Sequence, residues 1–289
     1  MALQRRVNRL SVKTFLAQRR KSEIAKKEAE WNQICKSGER FAYVSASEKY
    51  LIHTNDPIGK DLFLHGEFDF RKFELALHLL GRSSLNTLVD VGANIGTICI
   101  PAVKRGLANT AIAIEPEPTN FAMLQANLAM NNVAHRVKSF QMALGSTDDQ
   151  TLLLDLSSEN FGDHRIAPTI GEARTRPQLP VKSSRFDTVV GELIPETDLV
   201  YIDVQGFEKF VISGAPLATQ NKVPMVLEFW PDGLSEHCTM EEFIDCLSDY
   251  SLYIDLNSPN PEPQGFEKLA DFWDGLIRGP FDFGDILVY

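Results

Sequence analysis

Four cysteines in 289 residues, none of them in a C-x-x-C pair, leave no basis for a zinc knuckle or a redox dithiol. Cys35, Cys99, Cys238 and Cys246 are widely scattered, and free thiols in a reducing compartment are the expectation. No apolar run reaches the roughly 18 residues that a transmembrane helix needs. The first residues lack the apolar stretch of a secretory signal, so a cytoplasmic protein is expected. Acids are missing before Glu23, where Arg5, Arg6, Arg9, Lys13, Arg19, Arg20 and Lys21 cluster. There is no internal repeat and no low-complexity tract. The dinucleotide fingerprint G-x-G-x-x-G is also missing: counted from Gly92 it needs glycines at 94 and 97, where Asn94 and Thr97 stand.

Charge divides the chain. Residues 1–40 hold eleven Lys/Arg against four Asp/Glu, a net of +7, so the rest carries −17 of the total −10. An acidic body repels phosphate backbones, and no nucleic-acid partner is expected. The basic segment alone suits an anionic surface or a protein partner.

Three regions follow from the patterning. Residues 1–40 form a basic helical extension, with Leu3, Val7 and Leu10 and later Ile24, Trp31 and Ile34 at helical spacing. Residues 41–84 hold short strands (Phe41–Ser45, Tyr50–His53), a turn at Pro57-Ile58-Gly59, and a helix from Asp69 to Leu80. From 85 to 289 strands alternate with helices, which predicts a doubly wound, Rossmann-like α/β sheet of about seven strands. Its expected strands are Thr87–Val91, Ala111–Ile114, Val137–Met142, Leu199–Val204, Met225–Phe229, Leu252–Leu256 and Asp285–Tyr289. Gln150–Leu156 is expected in a hairpin with Val181–Ser183. The long polar stretch Ser157–Pro180 between them has the length of a functional lid.

The sharpest motif is Val89-Asp90-Val91-Gly92-Ala93-Asn94-Ile95-Gly96, a strand that turns on glycine into a helix. Lacking a Cβ, the turn admits a ligand close to its backbone. Glu115 ends the next strand, where a carboxylate can accept both hydroxyls of a ribose. The D-x-G-x-x-x-G spacing fits adenosylmethionine enzymes better than NAD enzymes.

Residues from about Pro57 to Pro231 resemble the FkbM family of methyltransferases. The likeness rests on Val89–Gly96, Glu115-Pro116-Glu117-Pro118, Asn127–Asn132, Asn160–Arg165 and Ile202-Asp203-Val204-Gln205-Gly206-Phe207-Glu208. The family often has Asp-x-Glu-Gly where this chain has Asp203-Val204-Gln205-Gly206, so any role needing a carboxylate at position 205 is in doubt. The resemblance implies methyl transfer from S-adenosyl-L-methionine to a hydroxyl on a sugar, polyketide or other small metabolite. By fold position, Asp90, Gly92, Asn94, Gly96, Glu115, Pro116 and Asp203 are expected to border the donor, with Gln141, Met142 and Ala143 beside its adenine. Asp203 and Glu228 are candidates for the acceptor. His164, in the long loop, is the candidate general base for a hydroxyl proton. Asp203, Glu228 and His164 have no recognised metal-ligand spacing, so no metal is expected. Glu208 is read as a first-turn helix acid and His237 as a surface residue. Two other readings stay open: a nucleotide-binding module without turnover, and an NAD or nucleotide-sugar enzyme on a similar sheet.

Overall fold

The structure, a computed structural model, describes residues 2–168, 175–278 and 283–289. Gly171 and Arg174 of the long loop, and the side chains of Arg5, Arg6, Arg9 and Lys13, lie outside what is described. The chain opens with α1 (Ala2–Lys36), β1 (Phe41–Ser45), β2 (Lys49–His53), α2 (Pro57–His65) and α3 (Phe70–Leu79). Then come β3 (Leu85–Val91), α4 (Cys99–Lys104), β4 (Ala108–Ile114), α5 (Pro118–Met130), β5 (Val137–Phe140) and β6 (Ala143–Gly145). β7 (Gln150–Asp155), β8 (Arg165–Ile166), β9 (Gln178–Arg185), α6 (Phe186–Val190), β10 (Thr197–Ile202), α7 (Glu208–Ser213) and α8 (Pro216–Gln220) follow. The last elements are β11 (Met225–Phe229), α9 (Pro231–Ser235), α10 (Met240–Cys246), β12 (Leu252–Asp255), β13 (Gln264–Gly265), α11 (Leu269–Arg278) and β14 (Gly284–Val288).

The main sheet has eight strands among the described residues, in the order β13-β12-β14-β11-β10-β3-β4-β5. β11, β10, β3, β4 and β5 run parallel, and β14 is antiparallel to both its neighbours. The central strands β3 and β10 are almost wholly buried, as strands covered on both faces must be. Chain order reverses between β3 and β10, so the crevice beyond their carboxyl ends is where such a sheet takes a ligand.

Four local expectations are corrected. Pro57 begins a helix and not a turn: Asp56 caps it by accepting from the Gly59 amide at 2.8 Å, and proline fits its first turn. The third strand stops at Phe140, and Ala143–Gly145 leaves for a separate sheet, β6-β9-β7-β8, by pairing with β9. The expected helix Phe207–Leu217 is two short ones, broken before Pro216. His237 is buried, with its ring edge-on to Phe207 at 5.1 Å and Phe210 at 6.1 Å.

Residues 41–84 share one core with the sheet. Tyr50, Ile52, Leu62, Phe70 and Phe73 pack with Leu85, Leu88 and Leu124. The C-terminal part of α1 joins them. Trp31 is buried against Phe63 at 5.6 Å between ring centroids, and Lys27 donates to the carbonyls of Phe63 and Leu64 at the end of α2. Arg19, Arg20 and Lys21 are exposed. No described helix is long and apolar enough to cross a membrane. All four thiols are free.

Candidate functional site

The turn after β3 is built around positive φ angles. Gly92 stands at φ 84° and Asn94 at φ 49°. The amides of Gly92 and Ala93 both donate to the Ile114 carbonyl, at 2.9 and 3.0 Å, which ties the turn to β4. A Cβ on Gly92 would lie 1.8 Å from the Asp203 carbonyl oxygen, so glycine is what lets β3 and β10 end side by side. Asn94 donates its amide N–H to Glu115 at 2.9 Å and its side-chain amide to the Phe161 carbonyl at 3.1 Å.

Two buried carboxylates support this turn. Asp90 accepts from the Cys99 amide at 3.0 Å, near the start of α4, and burial pushes its pKa up to about 7. Glu115 accepts from the amides of Asn94 and Glu117, at 2.9 and 2.8 Å, and burial pushes it up to about 8. Each Glu115 oxygen takes one backbone N–H and so keeps acceptor capacity for a ligand hydroxyl.

Two cavities meet at the turn. The smaller, about 60 Å³, lies between the ends of β3 and β4 and is lined by Ile114, Glu115, Pro116, Met142, Ala143 and Phe207. The larger, about 390 Å³, carries Asp69, Asp90, Asp203 and Glu228, and is also lined by Arg165 and Trp230. Gly92, Asn94, Gly162, Asp203 and Gln205 line both.

The segment Asn160–Arg165 covers the junction. The Phe161 amide donates to Asp56 at 2.9 Å, and its carbonyl accepts from Asn94 and Asn120, the latter at 2.8 Å. Its ring stacks on His53 with centroids 3.8 Å apart. Asp163 holds the guanidinium groups of both Arg165 and Arg176. The Arg165 guanidinium also lies 4.0 Å over the Trp230 ring.

Most of the expected residues converge. Asp90, Gly92, Asn94 and Asp203 line the large cavity, while Glu115, Pro116, Met142 and Ala143 line the small one. Two do not. Gln141 is exposed and lines neither cavity. Gly96 lines neither and faces inward, where a Cβ would meet Ile100 and Leu124. His164 reaches the small cavity only. Its Nδ1 accepts from the Ser157 amide at 3.0 Å, which occupies the lone pair a general base needs, and burial lowers its pKa. The base role expected for His164 therefore has no support in the geometry.

Asp203 and Glu228 do come together, from neighbouring strands, and Gln205 joins them. Its amide nitrogen donates to Asp203 at 2.7 Å and to Glu228 at 2.9 Å. Burial raises the pKa of both carboxyls. Glu208 is more than a helix-end acid: buried, it accepts from the amides of Val204 and Gly206, at 3.0 and 3.3 Å, and fixes the loop that carries Gln205. Gln205, Asn120, Asp69 and Trp230 were not among the expected site residues. Only Gln205, inside the Asp203-Val204-Gln205-Gly206 motif, left a trace in the sequence. Among the described residues no group of three or more His, Cys, Asp or Glu is arranged to hold a metal.

A doubly wound sheet with a glycine turn, a carboxylate ending the next strand and a divided cleft at the switch point defines a protein of the Rossmann-like α/β class. Residues 90–246 match the Methyltransferase FkbM domain, and the chain belongs to that family. It is similar to Methyltransferase 1 of Beauveria bassiana, 28% identical over 147 residues covering 44% of this chain and 57% of that protein. It is also similar to Methyltransferase sdnD of Sordaria araneosa, 27% identical over 176 residues covering 51% of this chain and 68% of that protein. Among solved structures, the methyltransferase FkbM of Methylobacillus flagellatus aligns with a TM-score of 0.46 and 15% identity, over 80% of this chain and 52% of that one. The chain thus spans little more than half the length of the first of these relatives and of that structure.

Proposed function

We infer that the protein is a methyltransferase that takes its methyl group from S-adenosyl-L-methionine and passes it to a hydroxyl of a small, polar acceptor. The observation that carries this reading is the divided cleft: a narrow, mostly apolar pocket at the ends of β3 and β4 opens onto a larger acidic cavity. The residues fit the donor. The Gly92 turn leaves its face open, Glu115 is set to take the ribose hydroxyls, and Met142, Ala143 and Phe207 offer an apolar slot for adenine. When bound, the donor supplies an electrophilic methyl on a sulfonium. The protein then has to align the acceptor in line with it, exclude water and receive one proton.

Asp203 and Glu228 are the groups for that proton in this reading. They stand in the cavity that admits the acceptor, whereas His164 stands in the other. Residues 85–289 are the methyltransferase unit and 41–84 its cap, since α2 contributes Pro57 and Ile58 to the acceptor cavity.

The test is calorimetric titration with S-adenosylhomocysteine beside NAD. Binding of the first alone supports the reading. Binding of NAD alone overturns it in favour of a dinucleotide enzyme. Donor binding without methyl transfer to any of a panel of sugars and hydroxylated polyketides would point to a module without turnover.

A further inference from the structure

Gln205 occupies an unusual place. Its backbone is left-handed at φ 57°, a conformation that non-glycine residues rarely adopt. Its side chain sits at the junction of the two cavities, between carboxylates from adjacent strand ends. An amide nitrogen has two hydrogens and no acceptor capacity, so both contacts require acceptors. Two carboxylates bridged by a protonated carboxyl would receive only one hydrogen.

Resting on the donor reading above, we propose that Gln205 is a positioning residue of the transfer point. By giving one hydrogen to Asp203 and one to Glu228 it favours ionisation of the pair against burial and their mutual repulsion, and the resulting anionic wall discriminates the cationic sulfonium donor from its neutral thioether product. The transferred methyl has to pass from the small cavity to the large one, and Asp203 and Gln205 line both. Opposite charges attract strongly in a partly buried site, and the attraction vanishes once the sulfonium has lost its methyl. The wall thus favours loading of the donor and release of the product.

The surroundings set the background charge. Burial is the largest cost of ionising the pair; the repulsion between the two carboxyls and the charges of Asp69, Asp90, Glu208 and Asp285 add to it, while Lys72 and a side-chain hydrogen bond between Asp203 and Glu228 reduce it. Asp163 and Arg165 face the same cavity from the covering segment, with Arg165 held by Asp163 and Trp230. Against that mostly acidic background, the two hydrogens of Gln205 are a direct stabilisation of the doubly ionised state.

The experiment compares two donor analogues on the full chain between pH 5 and 8. S-adenosylhomocysteine is neutral at sulfur, and sinefungin carries an ammonium in place of the sulfonium methyl. The wild type should prefer sinefungin at least ten-fold at pH 8, and the preference should fall as the pH drops and the pair takes up a proton. Gln205→Met keeps the length and removes both hydrogens. It should lose at least ten-fold of that preference at pH 7 and move its midpoint up by one pH unit or more. Equal loss of affinity for both ligands, with midpoint and preference unchanged, is what a merely structural residue would give and overturns the proposal. If Gln205→Met does not fold, Glu228→Gln carries the test, because removing one of the two charges must cut the preference. An unchanged preference there overturns the proposal as well. A wild type that binds both ligands equally at every pH refutes the charged wall while leaving the donor reading intact. Failure to bind either ligand removes both.

Discussion

Gly92→Ala is the most demanding test of the site's geometry. The new methyl would stand 1.8 Å from the Asp203 carbonyl oxygen and 2.9 Å from its carbon, whereas ordinary contact begins near 3.4 Å. The neighbour is backbone and cannot rotate away. Asp203 is pinned by its own amide bond to the Val91 carbonyl at 3.0 Å, and Gly92 by its bond to Ile114. A gap of more than 1 Å must therefore open between β3 and β10 at their carboxyl ends. The left-handed φ adds about 1–2 kcal/mol and the forced overpacking about 1–3 kcal/mol, for a loss of roughly 2–5 kcal/mol. At about 2–4 °C per kcal/mol for a chain of this size, melting should fall by roughly 4–20 °C. Because the gap opens where the two cavities meet, affinity for S-adenosylhomocysteine should drop at least ten-fold, read by calorimetric titration well below the melting point. Gly96→Ala is the control. It carries the same positive-φ strain, at φ 93°, but its methyl would meet the side chains of Ile100 and Leu124 rather than backbone at the strand ends, so it should cost less stability and leave affinity nearer wild type. A Gly92→Ala protein that melts and binds as the wild type does would refute the reasoning.

Two further outcomes follow from the buried groups. Glu115 has a folded pKa of about 8 against an ordinary 4.5, so the stability it contributes is complete below about pH 4.5 and is lost as the pH rises through 8. Denaturant titrations of the unliganded protein should show stability falling across that window, and Glu115→Gln should flatten the slope to the parts left by the other buried carboxyls, Asp90, Asp203, Glu208, Glu228 and Asp285, while Glu115→Ala should also weaken S-adenosylhomocysteine binding by about 1.5–3 kcal/mol. An unchanged slope would mean that Glu115 is ionised in the fold. Trp31→Ala should destabilise the protein by about 3–5 kcal/mol, because the indole is buried against Phe63 on α2; thermal melting reads this directly, and a loss below about 1 kcal/mol would mean that α1 is a detachable extension.

Much of the architecture is local information. Strand and helix periods, with the glycine turn between them, are enough to mark β3, β4, α5 and β11 to within a few residues, because each pattern needs only neighbours along the chain. Glu115 and Asp203 were legible as strand-end carboxylates for the same reason. The expected turn at Pro57-Ile58-Gly59 fails for a physical reason as well: these residues form the first turn of a helix that Asp56 caps. Gln141 lies just past the end of β5 at Phe140, although the apolar pattern continues to Met142, because no periodicity says where a strand leaves its sheet.

The sequence by itself determined an alternating α/β chain, the glycine turn that follows β3 and the family to which it belongs. Tertiary structure decided which carboxylates meet. Asp203 and Glu228 are 25 positions apart in the chain, and they share one amide only because β10 and β11 are paired in register and Glu208 fixes the loop between them. It also decided that His164 spends its lone pair on Ser157, and that His53 and Asp56, from the N-terminal cap, hold the segment covering the cleft. Such contacts depend on strand order and on the close approach of distant loops, and neither is written in the spacing of residues along one segment.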